Sequence, residues 1–313
     1  MATYGLQIEP QFGYNFEQIK EMVQSAEKNG FSHAWFSDHF MMTADSTDVT
    51  AYECFTAMMA AVSYTSKLRI GALVFCNNYR HPTVLAKQIA SLDHYSNGRI
   101  EFGYGAGWKN IEYDQYGIEF PKTGTRLKQL VEGIKVIREL WTQERANFKG
   151  DFYQLNNAVS FPKPLQNPLP IWVGTMYARP KMLNLAAEHA DGINLAWSYS
   201  QDVFAEKMQE LDELCEKYDR DPKSLRRSYG IWSRIYESAE EKKKVFDEIA
   251  ERRGFTQEQV EKRFEGSMHG TREEIIERLR AYEKLGAEHF IFMFESNEID
   301  QMKILTEEII PKL

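Results

Sequence analysis

Along the chain, short apolar runs alternate with longer stretches whose apolar positions recur at helical spacing. Residues 4–8 read as a strand, and residues 16–29 as a helix stopped by Gly30 at its C′ position. The pattern then repeats as strand 33–37 with helix 52–64, and strand 68–75 with helix 82–95, opened by Pro82. Strand 99–105 precedes helix 126–141, where Leu127, Leu130, Val131, Ile134, Ile137 and Leu140 keep the 3.6-residue period. Strands at 171–174, 193–197, 228–235 and 289–294 follow, with helices at 181–189, at 203–218 and from Asp300 onward. Eight strand–helix units without a linker predict an α/β fold of the closed (β/α)8 kind, a TIM barrel, as a single domain over 1–313. An open, doubly wound sheet is the alternative that six strands would favour.

Two stretches exceed a simple barrel. Residues 143–170 carry Pro162, Pro164, Pro168 and Pro170 among aromatic residues and read as a lid or hairpin after strand 4. Residues 237–272 read as a helical insertion after strand 7, with the charges of 237–265 forming a solvated face.

Charge narrows the function classes. Thirty-eight Lys and Arg against 46 Asp and Glu give a net charge of -8, which argues against a nucleic-acid surface. No basic residue precedes Lys20, and Gln7 and Glu9 interrupt the first apolar run, so the start does not read as a signal peptide. No apolar run is long enough for a membrane span. Cys54, Cys76 and Cys215 lack CxxC spacing and read as reduced thiols of a cytoplasmic protein.

In a barrel, chemistry belongs where strands end and helices begin. Strand 2 ends in Ser37-Asp38-His39, where a carboxylate beside an imidazole reads either as a general acid/base pair or as a loop cap. His33 lies at the opposite end of that strand, and no further ligands gather at the strand ends, so no metal site is expected. Gly103-x-Gly105-x-Gly107 lacks the third glycine and following helix of a dinucleotide fingerprint, with no helix evident before Gly117. Its alternation fits either a flat group close to the backbone or tight packing within the barrel. Gly174-Thr175, before a helix, offers backbone N–H groups to a phosphate, or a simple turn. Thr271 with Glu274 reads as a capping box in preference to a phosphate loop.

Together these stretches resemble the luciferase-like monooxygenase superfamily. The resemblance rests on Ser37-Asp38-His39-Phe40, Leu68 to Val74, Tyr79-Arg80-His81-Pro82, Leu85 to Gln88, Asn97 to Trp108, Pro170 to Gly174 and Ala190-Asp191-Gly192 in that order. Glu112-Tyr113, Gly117-Ile118-x-Phe120-Pro121 and Phe161 to Gln166 make the chain most similar to the coenzyme F420-dependent oxidoreductases of that superfamily. The resemblance implies hydride transfer with coenzyme F420 and a small organic substrate, in a homodimer. FMN-dependent monooxygenation with dioxygen, and a non-catalytic flavin-binding relative, are the alternatives. It implies a cis peptide at Leu73-Val74 behind the ring, Asn77, Gly105, Ala106 and Gly107 beside it, and Gly174, Thr175, Met176 and Tyr177 at the cofactor phosphate. Asp38 and His39 would face cofactor and substrate, His39 moving the proton and Asp38 either orienting it or accepting from substrate. Phe12, Phe40, Met41, Trp108 and Trp197 could line an apolar substrate space. Trp108 stands where some F420-dependent dehydrogenases carry a glutamate acid, which argues against a sugar-phosphate dehydrogenase mechanism built on that glutamate.

Overall fold

The computed structural model describes residues 2–295 and 298–313. Strands β1 (Thr3–Ile8), β2 (His33–Phe36), β3 (Arg69–Cys76) and β4 (Ile100–Gly105) come first, each followed by helix: α1 (Phe16–Lys28), α2 (Cys54–Tyr64), α3 (Pro82–Tyr95), then α4 (Asn110–Gln115) and α5 (Thr123–Thr142). The stretch after α5 holds an antiparallel hairpin, β5 (Ala146–Lys149) with β6 (Gln154–Ala158). Then come β7 (Ile171–Met176), α6 (Pro180–His189), β8 (Gly192–Ala196), α7 (Gln201–Lys217) and β9 (Arg226–Ile235). Helices α8 (Ala239–Arg253) and α9 (Gln257–Phe264) form the charged stretch expected there, followed by β10 (Met268–Gly270), α10 (Arg272–Lys284), β11 (His289–Phe294) and α11 (Glu298–Ile304).

β1, β2, β3, β4, β7, β8, β9 and β11 pair in parallel, and β8 returns to β9, closing an eight-stranded barrel. The short β10 extends the far end of β9 in parallel. Local chemistry sets the helix starts: Asn15 with Gln18 and Thr271 with Glu274 both make capping boxes, and Pro82 opens α3. The main core lies between strands and helices.

The barrel interior is a second, smaller core of Trp35, Trp172 and Ile291, with Leu73 against it. Below it, at the strand starts, Glu101 accepts from Arg69 Nε at 2.6 Å and Trp172 Nε1 at 2.7 Å, while Trp35 Nε1 donates to His289 Nε2 at 3.0 Å. His33 belongs to this lower plug, 3.5 Å from Glu101. Burial pushes the Glu101 carboxyl up, but His33, Arg69 and Arg226 outweigh it and hold it at about 2. The lower end is sealed, so the mouth at the strand ends is the open face.

Candidate active site

Val74 defines the floor of the mouth. The Leu73–Val74 peptide is cis, and β3 slips register against β4 between Ala72 and Phe75. The Val74 side chain then lies over three glycines of the neighbouring strands. A Cβ on Gly105 would overlap Val74 Cγ2, one on Gly103 would stand 2.9 Å from Cγ1, and one on Gly174 3.1 Å from it. Gly105 therefore makes room for this valine and Gly103 for the Ala72 carbonyl beside it, and the packing reading describes both. Gly107 has φ +71, and a Cβ there would overlap the Tyr113 hydroxyl and stand 2.7 Å from Cys76 Sγ.

His39, half-buried at the rim, places Nδ1 2.9 Å from Glu112 Oε2, and Trp108 sits edge-on to its ring at 5.5 Å. Glu112 is fully buried and receives donors from three loops: the Phe40 and Met41 N–H groups at 2.9 and 3.3 Å, the Tyr79 hydroxyl at 2.6 Å and the Lys109 ammonium at 3.2 Å. Burial raises the Glu112 carboxyl, but the hydrogen bond and charge of His39, with Tyr79 and Lys109, prevail and hold it at about 2. An ionised carboxylate only accepts, so Nδ1 of His39 carries the proton that faces it, and in the neutral imidazole Nε2 keeps its lone pair. Among the described residues Nε2 has no hydrogen-bond partner.

This corrects the expected pairing of His39 with Asp38. Asp38 is buried, accepts from Arg80 at 2.6 and 2.7 Å in bidentate fashion, and takes the Cys76 N–H at 2.9 Å. Arg80 also reaches Glu53, and although burial opposes its charge, Asp38 and Glu53 push its pKa up. Asp38 is a clamp between β2 and β3, and Glu112 holds the histidine. Asn77 is corrected too: its side chain accepts from the Tyr104 hydroxyl at 2.5 Å and donates to Tyr153 at 3.2 Å, beneath Gly133 of α5. Helix α4 begins three residues after Gly107, earlier than the sequence pattern indicates, and this short helix is what delivers Glu112.

Phe40, expected at the substrate space, is stacked between Tyr79 and Tyr116 at 4.3 and 4.4 Å. Trp197 packs on Gly230 beside Trp232, 6.1 Å between rings, on the opposite wall. Cys76 is buried, and burial pushes its thiol up to about 12 despite a hydrogen bond with Tyr113.

At the end of β7, Thr175 is buried and Tyr177 exposed. Tyr177 and Ala178 adopt φ +66 and +38, in the left-handed region that favours glycine. Helix α6 then starts with no side-chain cap, flanked by Arg179 and Lys181. Pro180 has no N–H and the Met182 N–H bonds the Arg179 carbonyl, so the Lys181 N–H and the two cations are what this helix start offers an anionic group. Among the described residues, no three His, Cys, Asp or Glu side chains gather to hold a metal ion, and no helix is long and apolar enough to cross a membrane.

The model of the luciferase-like monooxygenase family matches residues 2–265. The chain is 29% identical to an F420-dependent glucose-6-phosphate dehydrogenase of Amycolatopsis mediterranei, over 94% of each chain. In fold it is similar to an F420-dependent secondary alcohol dehydrogenase solved with an F420-acetone adduct (TM-score 0.84, 22% identity, 99% and 98% of the chains covered). It is also similar to a coenzyme F420-dependent tetrahydromethanopterin reductase from Methanopyrus kandleri (TM-score 0.80, 19% identity, 99% of each covered).

Proposed function

Because the chain belongs to the luciferase-like monooxygenase family, we propose that it is a coenzyme F420-dependent oxidoreductase interconverting an alcohol and a carbonyl compound at the barrel mouth. The observation that carries the reading is the His39–Glu112 pair at 2.9 Å, with an unpartnered Nε2 at the rim. The residues present fit the cofactor: Val74, packed over Gly105 and Gly174, offers an apolar platform at the mouth, and the start of α6 with Arg179 and Lys181 suits its phosphate. When bound, the deazaflavin supplies a two-electron carrier that accepts or returns a hydride.

His39 takes the hydroxyl proton at Nε2 as the substrate carbon gives up its hydride, and returns it in the reverse direction. Glu112 fixes the tautomer through Nδ1–H and stabilises the imidazolium that forms. Asp38, Arg80 and the Cys76 N–H set the spacing of β2 and β3 beneath it. The Trp108 indole does not exchange its proton in acid/base chemistry near neutral pH, so that work falls to His39. The test is titration with F420 and with FMN, followed by turnover of His39→Ala. Micromolar F420 binding, retained within about threefold in the variant while turnover falls about 10²-fold or more, is expected. Tight FMN binding without F420 binding would move the site to flavin monooxygenase chemistry, and unchanged turnover would remove His39 from the mechanism. A homodimer is part of this reading by analogy with the family, and the unpaired buried cysteines support a cytoplasmic setting. Sedimentation at the mass of one chain would refute the dimer.

A further inference from the structure

A polar network on the β1 side of the mouth is used by none of the steps above. Thr3, Gly5 and Gln7 alternate onto the inner face of β1, where Gly5 abuts Trp35 and His289, and Glu9 continues that alternation past the strand end. Glu9 is 8% exposed and Gln7 5%. Gln7 Nε2 donates to Glu9 Oε1 at 2.8 Å, Gln11 Nε2 donates to Glu9 Oε2, and the Ser37 hydroxyl donates to Gln11 Oε1 at 2.9 Å. Ser37 directly precedes Asp38 and His39, so the network reaches the reacting end of the site.

Two features of this network are incomplete. Glu9 is a buried carboxylate with no cation within 4 Å among the described residues, held by two neutral amides. Gln7 Oε1 is fully buried and has no hydrogen-bond partner. Its identity as the oxygen follows from chemistry: a carboxylate only accepts, so the NH2 end of Gln7 must face Glu9 and the carbonyl must face away. A buried acceptor without a donor is costly, and a buried anion without a cation is more so. Gln7 Oε1 lacks a donor and Glu9 lacks a cation, so a hydrogen-bond donor that reached this network from the mouth would serve both.

We propose that Gln7 and Glu9 are specificity-determining residues that receive a second donor group of the substrate, a hydroxyl or an ammonium next to the reacting carbon. The inference rests on reading the mouth as the substrate site. A substrate bearing only the reacting hydroxyl leaves both acceptors unsatisfied and is disfavoured; one bearing an anion there is repelled by Glu9.

The test compares cyclohexanol, trans-1,2-cyclohexanediol and trans-2-aminocyclohexanol, which differ only in the added donor. Binding is followed by saturation-transfer NMR with and without F420, in the parent protein, Gln7→Met and Glu9→Gln. The diol or the amino alcohol binds about tenfold or more tightly than cyclohexanol in the parent, and either variant reduces that preference to about threefold or less while cyclohexanol is unaffected. Preference for the amine identifies an ammonium, and preference for the diol a hydroxyl. Equal binding of all three, or a preference that survives both variants, overturns the proposal. Far-UV circular dichroism checks that the variants fold, and Glu9→Gln stands if Gln7→Met does not. Loss of F420 binding with the donor preference intact would instead refute the cofactor reading alone.

Discussion

Replacing Glu112 by glutamine removes one negative charge from the centre of the site and almost no volume. The retained Oε1 still accepts from the Phe40 and Met41 N–H groups. The new NH2 takes the place of Oε2, facing the Tyr79 hydroxyl and His39 Nδ1. The hydroxyl can rotate to accept, but Nδ1 accepts only if its proton moves to Nε2. The nitrogen facing the mouth then becomes a donor where it had been an acceptor. A carboxyl held at about 2 instead of 4.5 contributes about 3 kcal/mol of stability at neutral pH. Counting bonds gives a similar figure, since losing the charge at His39, Tyr79 and Lys109 forfeits about 1 kcal/mol at each. Urea denaturation should therefore show a loss of about 2–4 kcal/mol. Turnover in the alcohol-to-carbonyl direction should fall about 10²–10⁴-fold with F420 affinity kept within about threefold. Two-bond ¹H–¹⁵N correlation spectra of the imidazole should show the proton on Nδ1 in the parent and on Nε2 in the variant. An unchanged tautomer, or turnover within about threefold of the parent, would refute the assignment of Glu112 as the residue that sets His39.

Acid stability follows from the same carboxylates. Glu112 and Glu101 both titrate at about 2 when folded against an ordinary 4.5, so their stabilisation is complete above 4.5 and is lost as pH falls towards 2. The urea midpoint should drop steeply below pH 4.5, and less steeply in Glu112→Gln; a flat profile down to pH 3 would contradict both assignments. Gly107→Ala places a methyl against the Tyr113 hydroxyl and Cys76 Sγ at φ +71 and should cost about 2–4 kcal/mol by the same measurement. A loss below about 0.5 kcal/mol would mean the loop yields freely.

The barrel was legible because its signal is repeated: each strand run and each helix period is long enough to read alone, and helix 82–95 and strand 289–294 coincide with α3 and β11. Site partners separated along the chain were not. His39 is visible beside Asp38, yet neighbouring residues part company in space, and the partner of His39 lies 73 residues away. Glu112 itself is in plain view within a family motif, but α4 spans six residues without an apolar period, so nothing local aims its carboxylate inward. Asn77 shows the converse: its place at a strand end suggests the mouth, while its side chain points beneath α5. Gln7 and Glu9 register in the sequence only as interruptions of an apolar run. Their two-residue alternation is the signal that they share the inner face.

Glu112 gathers donors from residues 39–41 after β2, Tyr79 after β3 and Lys109 after β4. One charge thus ties three loops into a single rigid jaw, and none of them can be remodelled without releasing the others. The opposing jaw, built from the ends of β7, β8 and β9 with Trp197 and Trp232, is tied by neutral hydrogen bonds instead, among them those of the Tyr229 and Tyr282 hydroxyls to the Tyr199 carbonyl. Changes that broaden or redirect substrate choice should accumulate there, while the catalytic side tolerates little beyond the exposed ring of Trp108.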